Sequence, residues 1–322
     1  MIAFIVKTLI CSGLLYGLYY FLLRKETFFR LNRIYLLAIL LLSALIPLIQ
    51  ITIPIGVSTP ESFFYTLVDG TKEFFFVYLL DEVIIYGKAS PFSWPNIIEK
   101  VYYIGIFVFS IRVFVFLYQI TSLHRVSKKY RKDGVRLFVH NKPFTAFSFW
   151  NIIYVNKEEL NAPDFKVIWK HEIEHIKQGH TIESFLLEVW SCIFWFNPFV
   201  WSIKRKLKEI HEYQTDYSLI EQGMDTIVYQ QHLLNYTLDG HSFAEASNFA
   251  ATALKNRIKM LAKSKSPLWR KTKVSLVLPL LLVLVLAFAT DYAPLNASET
   301  ISEPVSPVID SLSTDSIPVI FE

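Results

Sequence analysis

The sequence His171-Glu172-Ile173-Glu174-His175 contains two histidines four residues apart, with a glutamate directly after the first. On an α-helix, residues i and i+4 project from the same face, so both imidazoles can bind one metal ion. This arrangement suits Zn²⁺, whose bonds to imidazole nitrogen are about 2.0–2.1 Å long. Glu172 lies about 100° around the helix from His171, so it can reach a water beside the metal without being a ligand. We predict that Glu172 is the acid/base that moves this water's proton during hydrolysis.

A catalytic zinc site with two histidine ligands needs a third protein ligand, and His180 and Glu183 are the nearest candidates. His180 lies nine residues after His171, whereas the longer metzincin motif has its third histidine ten residues after the first. Glu183 lies twelve residues after His171, which puts it off the metal face of a continuous helix. Both residues therefore fail the spacing test, and the third ligand has to come from further along the chain.

The better candidate for the third ligand is Glu212, in the run Glu212-Tyr213-Gln214-Thr215-Asp216 on a predicted amphipathic helix. Two histidines and one glutamate leave a fourth position for water, which is typical of catalytic rather than structural zinc sites. Asp216 lies four residues later on the same face. We expect it to accept a hydrogen bond from a ligand imidazole and to fix the orientation of that ring. His211 points elsewhere on the helix and is predicted to lie at the surface.

The residues before the histidine motif predict a small β-sheet. Residues Val135 to Val139 and Phe147 to Val155 are rich in β-branched and aromatic side chains, which is typical of strands. From Pro163 onward the apolar residues recur at helical spacing, and proline suits a first helical turn. The motif therefore lies on a helix that follows the sheet. We expect the second strand to bind an extended substrate backbone, and a proline at Ile153 to reduce cleavage without releasing zinc.

Four long apolar stretches predict that the chain crosses a membrane several times. Hydrophobic residues make up 53% of the chain and are concentrated at 2–23, 34–55, 101–120 and 274–290. Each stretch approaches the roughly 20 apolar residues that are needed to span a bilayer. The first stretch has the alternative reading of a signal peptide. That reading is disfavoured because the stretch is long, has no small-residue cleavage site and is soon followed by another span.

The distribution of basic residues orients these spans. Basic clusters follow the first and third spans and precede the fourth, whereas residues 56–98 and the tail 291–322 are acidic. Because cytoplasmic loops are enriched in lysine and arginine, this pattern puts the N-terminus outside and residues 121–273 in the cytoplasm. The C-terminal tail is then outside, and we expect it to be disordered because it holds too few apolar residues to fold alone. The lysine-rich flanks are more typical of segments that set the membrane topology and contact lipid than of segments that bind nucleic acid.

Residues 184–201 form another strongly apolar stretch, but the chemistry argues against a fifth crossing. A crossing here would put Glu212 on the opposite side of the membrane from the two histidines of the motif. Glu188 and the Asn197-Pro198 pair also interrupt the stretch. We therefore predict a helix that is buried in the protease or that dips into the membrane face.

Three polar or reactive side chains lie within apolar stretches of the sequence. Cys11 and Cys192 are predicted to be small buried hydrophobic residues rather than a disulfide or part of a metal site. Arg112 interrupts the third span. It either faces a partner or a cavity, or it reaches the membrane surface with its long side chain.

Taken together, these motifs resemble the BlaR/MecR family of integral membrane zinc metallopeptidases, the antirepressor type. The resemblance rests on the motif 171–175, the block Phe194-Trp195-Phe196-Asn197-Pro198-Phe199-Val200-Trp201 and the run 212–216, in that order. The stretches Asn256-Arg257-Ile258-Lys259-Met260-Leu261 and Asn32-Arg33-Ile34-Tyr35 are also similar to the family. The similarity covers roughly residues 1–290.

The resemblance implies a gluzincin-like protease between the third and fourth spans, with His171, His175 and Glu212 as zinc ligands and Glu172 as the catalytic acid/base. It also implies that an extracellular signal activates the protease, which then removes a cytoplasmic winged-helix repressor of the BlaI/MecI type. The chain departs from the β-lactam-sensing members of the family. Its short tail has no penicillin-binding sensor domain and no Ser-x-x-Lys motif, so sensing by covalent acylation is not expected.

The predicted fold is α+β and predominantly α-helical: a multipass helical membrane protein with a cytoplasmic zincin-like (gluzincin) metalloprotease domain. The expected partners are a protein or peptide substrate and the lipid bilayer of the inner (cytoplasmic) membrane, without direct nucleic-acid binding. A homodimer is left open. Two alternative functions also remain open. One is a Ste24/HtpX-like quality-control protease with broad substrates, and the other is a catalytically silent signalling scaffold that has kept the fold.

Overall fold

The computed structural model describes residues 2–49, 51–55, 94–239, 244–288 and 290–294. The chain divides into a larger unit, residues 1–49 with 84–289, and a smaller unit, residues 50–83 with 290–322. Most of the predicted external loop and most of the predicted tail, at 56–93 and 295–322, lie outside the described residues.

The larger unit is mainly helical. Its α-helices are α1 (Ile2–Leu18), α2 (Phe29–Leu45), α3 (Trp94–Val126), α4 (Lys157–Leu160), α5 (Phe165–Lys177), α6 (His180–Ile193), α7 (Pro198–Glu221), α8 (Thr226–Asp239), α9 (Ala244–Leu261) and α10 (Val277–Phe288). A π-helical turn (Tyr19–Leu23) continues α1, a 3-10 turn (Ile46–Leu48) continues α2, and a 3-10 stretch (Leu268–Leu276) leads into α10. The strands of this unit are β2 (Lys128–Lys132), β3 (Val135–His140), β4 (Phe147–Phe149) and β5 (Ile152–Asn156).

The described part of the smaller unit is a pair of parallel strands, β1 (Ile51–Ile55) and β6 (Thr290–Pro294). Two predicted boundaries are therefore wrong, because residues 51–55 do not belong to the second span and residues 291–294 are not a disordered tail. The second helical segment ends early because Pro47 lies in its final 3-10 turn and Ile49 already has extended backbone angles. A proline has no N–H to continue the helical hydrogen bonds.

Four helical segments of the described residues are long and apolar enough to cross a membrane: Ile2–Leu23, Phe29–Leu48, Asn96–Val126 and Leu268–Phe288. They coincide with the four predicted stretches, with shifted ends. Helix α3 has 33 residues and is therefore about 50 Å long, whereas a bilayer core is about 30 Å thick. Near its end, Leu123 packs with Phe138 and Tyr154 of the sheet, so α3 connects an apolar segment directly to the sheet.

The sheet of the larger unit has the strand order β2-β3-β5-β4, with β4 at one edge. Strands β3 and β5 are parallel, and both outer strands are antiparallel to their neighbours. The single strand predicted at 147–155 is two strands, because Trp150 adopts a left-handed backbone angle (φ 56°) and turns the chain back. Ile153 is fully buried on β5 between Leu137 and Ser148. A proline at Ile153 would disrupt the centre of the sheet. This substitution therefore does not test substrate binding at the edge strand, which is β4.

Helix α7 packs against the two N-terminal helices through one apolar face. The largest core of the larger unit contains Leu15 of α1, Leu36 of α2, and Ile203 and Leu207 of α7, all with no exposed surface. Because Ile203, Leu207 and Ile210 recur at helical spacing, they form one stripe. Glu212 lies on α7 beyond this stripe and is partly exposed, so it is free to face the motif on α5.

The predicted single apolar helix at 184–201 is instead most of α6 and the start of α7, joined by residues 194–197. The Asn197 side chain caps α7 by accepting a hydrogen bond from the Phe199 N–H at 3.0 Å. It also donates to Ser12 Oγ on α1 at 2.9 Å, in a position with no exposed surface. Cys192, near the end of α6, is buried and free, as is Cys11. Asn197 therefore starts α7 and joins this corner of the chain to α1.

The tryptophans that flank Asn197 attach this corner to α3. Trp195 Nε1 donates to the Tyr102 carbonyl at 3.3 Å, and its ring lies where a Cβ at Gly105 would be, only 2.1 Å from the indole. Only glycine at position 105 permits this close approach. The Arg112 guanidinium lies 5.9 Å from the centre of the Trp201 ring, so Arg112 faces an aromatic partner on α7.

Replacing Asn197 by alanine is expected to destabilise the protein by about 2 kcal/mol, because α7 loses its cap and Ser12 loses a buried partner. Thermal unfolding of the detergent-solubilised chain measures this effect as a shift of several degrees. Ser202→Ala, which removes one exposed hydrogen bond on the same helix turn, is the matched control and should shift the midpoint little. Equal shifts for the two variants would show that Asn197 has no special role.

Candidate metal centre

The motif helix α5 is held by its apolar face. Phe165 and Trp169 are buried against β3 and β5, and Trp169 Nε1 donates to Asp133 Oδ2 at 2.9 Å. Helix α5 ends at Lys177, and Gly179 has a positive φ of 71°, which a glycine adopts without strain. The chain therefore turns at once into α6, and residues after 178 do not continue the axis of α5.

The structure brings His171, His175 and Glu212 together. The Nε2 atoms of the two histidines are 3.1 Å apart. The Glu212 oxygens lie 3.5 Å from Nε2 of His171 and 3.7 Å from Nε2 of His175. Ligand atoms at about 2.0–2.1 Å from one tetrahedral ion are separated by about 3.3 Å. This set of two imidazole nitrogens and one carboxylate therefore fits a single divalent cation.

Glu172 is buried beside these ligands, next to the edge strand. Its carboxylate and the ring nitrogens of His171 and His175 lie within 4.8 Å of one another. Burial raises the pKa of Glu172 to about 7, although His171 and the hydroxyl and backbone N–H of Ser148 act in the opposite direction. A carboxylate with its pKa near neutrality can both accept and return a proton.

A cleft of about 950 Å³ opens at the Glu172 carboxylate. It is lined by the edge strand, by the last turns of α3, and by the faces of α5 and α7 that hold Glu172 and Glu212. Apolar side chains such as Phe116, Phe147 and Phe149 form much of its wall. This cleft has space for a chain segment beside the candidate metal ligands.

Asp216 lies behind His171 but does not contact the imidazole directly. Its Oδ1 is 3.7 Å from Nδ1 of His171, which is beyond hydrogen-bond distance. Instead, the Tyr229 hydroxyl is 3.1 Å from Nδ1 and donates to Asp216 Oδ1 at 2.7 Å. Asp216 therefore reaches His171 through the phenol of Tyr229, rather than by the direct hydrogen bond that we predicted.

Arg257 completes this side of the site. Its guanidinium donates to Asp216 Oδ2 through Nε at 2.8 Å, and its Nη1 lies 3.0 Å from Glu212 Oε2. Arg257 thus holds both the Glu212 carboxylate, which faces the histidines, and the Asp216 carboxylate, which lies behind Tyr229. Since Asp216 has no exposed surface, the charge on Arg257 offsets the cost of burying it.

His180 and His211 surround the other histidine of the motif. Nδ1 of His180 lies 2.8 Å from Nδ1 of His175, so His180, whose spacing does not suit a ligand, contacts a candidate ligand instead. The prediction that His211 lies at the surface is wrong, because it is buried and its Nε2 lies 2.8 Å from Glu183 Oε2. Burial lowers the pKa of His175 to about 3, which favours the neutral imidazole that metals bind.

No motif in the sequence indicated Tyr229, because this residue lies on a helix of ordinary composition. Arg257 had an indirect signal, since it lies in the stretch 256–261 that resembles the family. The supporting role of His180 was hidden by the assumption of a continuous helix, which Gly179 interrupts.

Comparison with known proteins bears on this site. The sequence profile of the family described as BlaR1 peptidase M56 matches residues 18–261, most of the chain and all of the residues above. The chain belongs to this family. Membership confirms the resemblance to BlaR/MecR-type proteins, and it implies a peptidase.

The M56 chain is also similar to a curated relative, the "Regulatory protein BlaR1" of Bacillus licheniformis. The two are 28% identical over 138 residues, which cover 40% of this chain and 23% of the relative. The match thus spans less than a quarter of that protein's length.

Replacing Tyr229 by phenylalanine should weaken metal binding roughly tenfold while leaving the fold intact. The ring still fills its place, but His171 Nδ1 loses the partner that orients it, and such losses usually cost 10- to 100-fold in affinity. Competition with a chromophoric chelator measures the change. Tyr130→Phe, in the exposed strand β2, is the control and should bind metal like the wild type. An unchanged affinity in Tyr229→Phe would remove Tyr229 from the site.

Proposed function

We propose that this chain is an integral membrane zinc metalloendopeptidase, in which His171, His175 and Glu212 hold Zn²⁺ and Glu172 is the catalytic acid/base. The observation that carries the proposal is the convergence of these ligand atoms to 3.1–3.7 Å from two different helices. Membership of the M56 family supports the peptidase chemistry. The choice of zinc rests on the donor set, since two imidazoles and one carboxylate are typical of catalytic zinc.

The residues around the site have separate tasks in peptide hydrolysis. Zinc held by His171, His175 and Glu212 would supply Lewis acidity and make a nearby water more acidic. Glu172 accepts the proton of the attacking water and then passes it to the nitrogen of the leaving amine. Arg257 and Tyr229 hold Glu212 and His171 in place from behind. Glu172 is buried except where it lines the cleft, so its carboxylate faces the space in which a substrate would lie.

We propose that the substrate binds as an extended segment along β4. This strand is the edge of the sheet, and the backbone N–H of Ser148 faces the Glu172 carboxylate rather than a neighbouring strand. An edge strand whose outward backbone groups face a cleft can bind a peptide by adding a strand to the sheet. Binding of this kind uses hydrogen bonds to the substrate backbone rather than contacts with a particular side chain, which suits a protein substrate that lies in the cleft.

We propose that the four apolar segments cross the membrane and that the protease lies on the cytoplasmic side. The connector between the first two segments and the residues before the fourth contact each other. Lys273 Nζ lies 2.6 Å from Glu26 Oε1, and Thr27 and Ser266 exchange two hydrogen bonds, at 2.8 and 3.0 Å. Two connectors in contact share one side of the membrane. Both carry basic clusters, which supports a cytoplasmic position.

The biological role that we propose is signal-dependent cleavage of a cytoplasmic repressor of the BlaI/MecI type. The curated relative is described as a regulatory protein, which favours signalling over general quality control. The relative's mode of sensing is not attributed to this chain, because the match covers 23% of that protein.

Glu172→Gln is expected to reduce peptide cleavage by at least 10³-fold while zinc binding is retained, because the amide cannot accept the water's proton. The measurement compares cells that express wild type and variant by terminal proteomics and searches for fragments that vanish in the variant. Glu174→Gln is the matched control. It lies on the same helix, but its carboxylate faces Lys177 and Ser218 rather than the cleft. A wild-type fragment pattern in Glu172→Gln would contradict the peptidase proposal.

Ser148→Pro is expected to raise the KM for a peptide substrate at least tenfold, because it removes the outward N–H of the edge strand. Edge strands tolerate a proline at such positions, so zinc content should stay the same. Ser148→Ala keeps the N–H and loses the hydroxyl, the other group through which Ser148 acts on Glu172. It is therefore the control for effects on the catalytic acid/base. If both variants raise the KM equally, the substrate does not pair with β4.

A further inference from the structure

Arg33, in the sequence stretch 32–35, has no part in the proposed chemistry, yet it reaches the protease. Arg33 lies one turn into α2, and its guanidinium donates to both carboxylate oxygens of Glu183 on α6, at 2.7–2.9 Å. It also donates to the Gln178 carbonyl at the end of α5, at 2.6 Å. The side chains of Arg33 and Glu183 are only 14% and 16% exposed. A forked contact of this kind requires the planar geometry of arginine.

From Glu183 the contacts continue into the metal centre. Oε2 of Glu183 lies 2.8 Å from Nε2 of His211 on α7. The His211 ring lies flat against His180, with ring centres 4.0 Å apart and planes 13° apart. His180 in turn lies 2.8 Å from His175 through their Nδ1 atoms. An unbroken series of contacts thus joins α2 to a candidate metal ligand.

The protonation of each imidazole determines how one ring in this series of contacts orients the next. If Nε2 of His175 binds a metal, its Nδ1 carries the proton and donates to Nδ1 of His180. His180 must then present an unprotonated Nδ1 in one orientation, and the orientation of its ring is fixed by stacking on His211. The Glu183 carboxylate holds His211, and Arg33 holds the carboxylate. Loss of Arg33 would therefore loosen the ring of His175 without touching it.

We propose that Arg33 is a positioning residue for the metal centre. It fixes Glu183, and through His211 and His180 it orients the imidazole of His175. This inference rests on the metal centre proposed above. Because Arg33 lies at the start of the second apolar helix, a shift of α2 against α6 would reach His175 through these contacts. The series provides a physical route from a membrane segment to the catalytic centre.

The test measures zinc affinity in the full-length chain by chelator competition, in the Glu172→Gln background, so that the readout does not depend on cleavage. Arg33→Ala is expected to weaken zinc binding roughly tenfold. Arg33→Lys keeps the charge but not the planar guanidinium that contacts both carboxylate oxygens, so a smaller loss of zinc affinity is expected. Arg30→Ala, one turn earlier on α2 at an exposed position, is the matched control and should bind zinc like the parent.

Two further readouts separate positioning from a general loss of stability. Arg33→Ala and Glu183→Ala together should weaken zinc binding no more than either alone, because both act through one series of contacts. The visible absorption of the Co²⁺-loaded protein should change in Arg33→Ala and not in Arg30→Ala. Unchanged zinc affinity in Arg33→Ala, or losses that multiply in the double variant, would overturn the proposal. The peptidase proposal fails separately, through zinc binding without any Glu172-dependent cleavage.

Discussion

The proposed metal site needs three ligand atoms from two helices within about 3.3 Å of one another, and the packing of α5, α6 and α7 meets this requirement. The two histidines lie on α5 and the glutamate on α7, with the whole of α6 between them in the sequence. The left-handed backbone of Gly179 turns the chain away from α5, and the cap at Asn197 starts α7. The chain then returns with Glu212 facing the motif.

The same helix that carries Glu212 is anchored among the N-terminal helices. The apolar stripe of α7 packs against α1 and α2 in the largest core, so the proposed third ligand is held by the apolar part of the protein. Buried polar contacts then refine the position of each ligand. Tyr229 and Arg257 support His171 and Glu212, and His180 supports His175. Buried charges in such contacts add little to the stability of the fold when they are compared with well-packed apolar groups.

Much of this arrangement could be predicted from the sequence, because its signals are local. The spacing of His171 and His175 indicates one helix face, and the long apolar stretches indicate the helices that can cross a membrane. Glu212 could be proposed because its chemistry and its place on an amphipathic helix suit a ligand. The contacts of His180, His211 and Tyr229 could not be predicted, because they depend on how α6 and α8 pack against α5 and α7. The same holds for the break at Trp150, where one residue in a left-handed conformation divides a stretch of uniform strand composition.

The central claim is that one zinc ion is bound by two imidazoles and one carboxylate. X-ray absorption at the zinc edge, on the purified full-length chain with its metal content measured, tests the claim most directly. The account predicts one zinc per chain, a first shell of nitrogen and oxygen at about 2.0–2.1 Å, and the outer-shell scattering of two imidazole rings. A shell of sulfur near 2.3 Å, or a chain that binds no zinc, would contradict it.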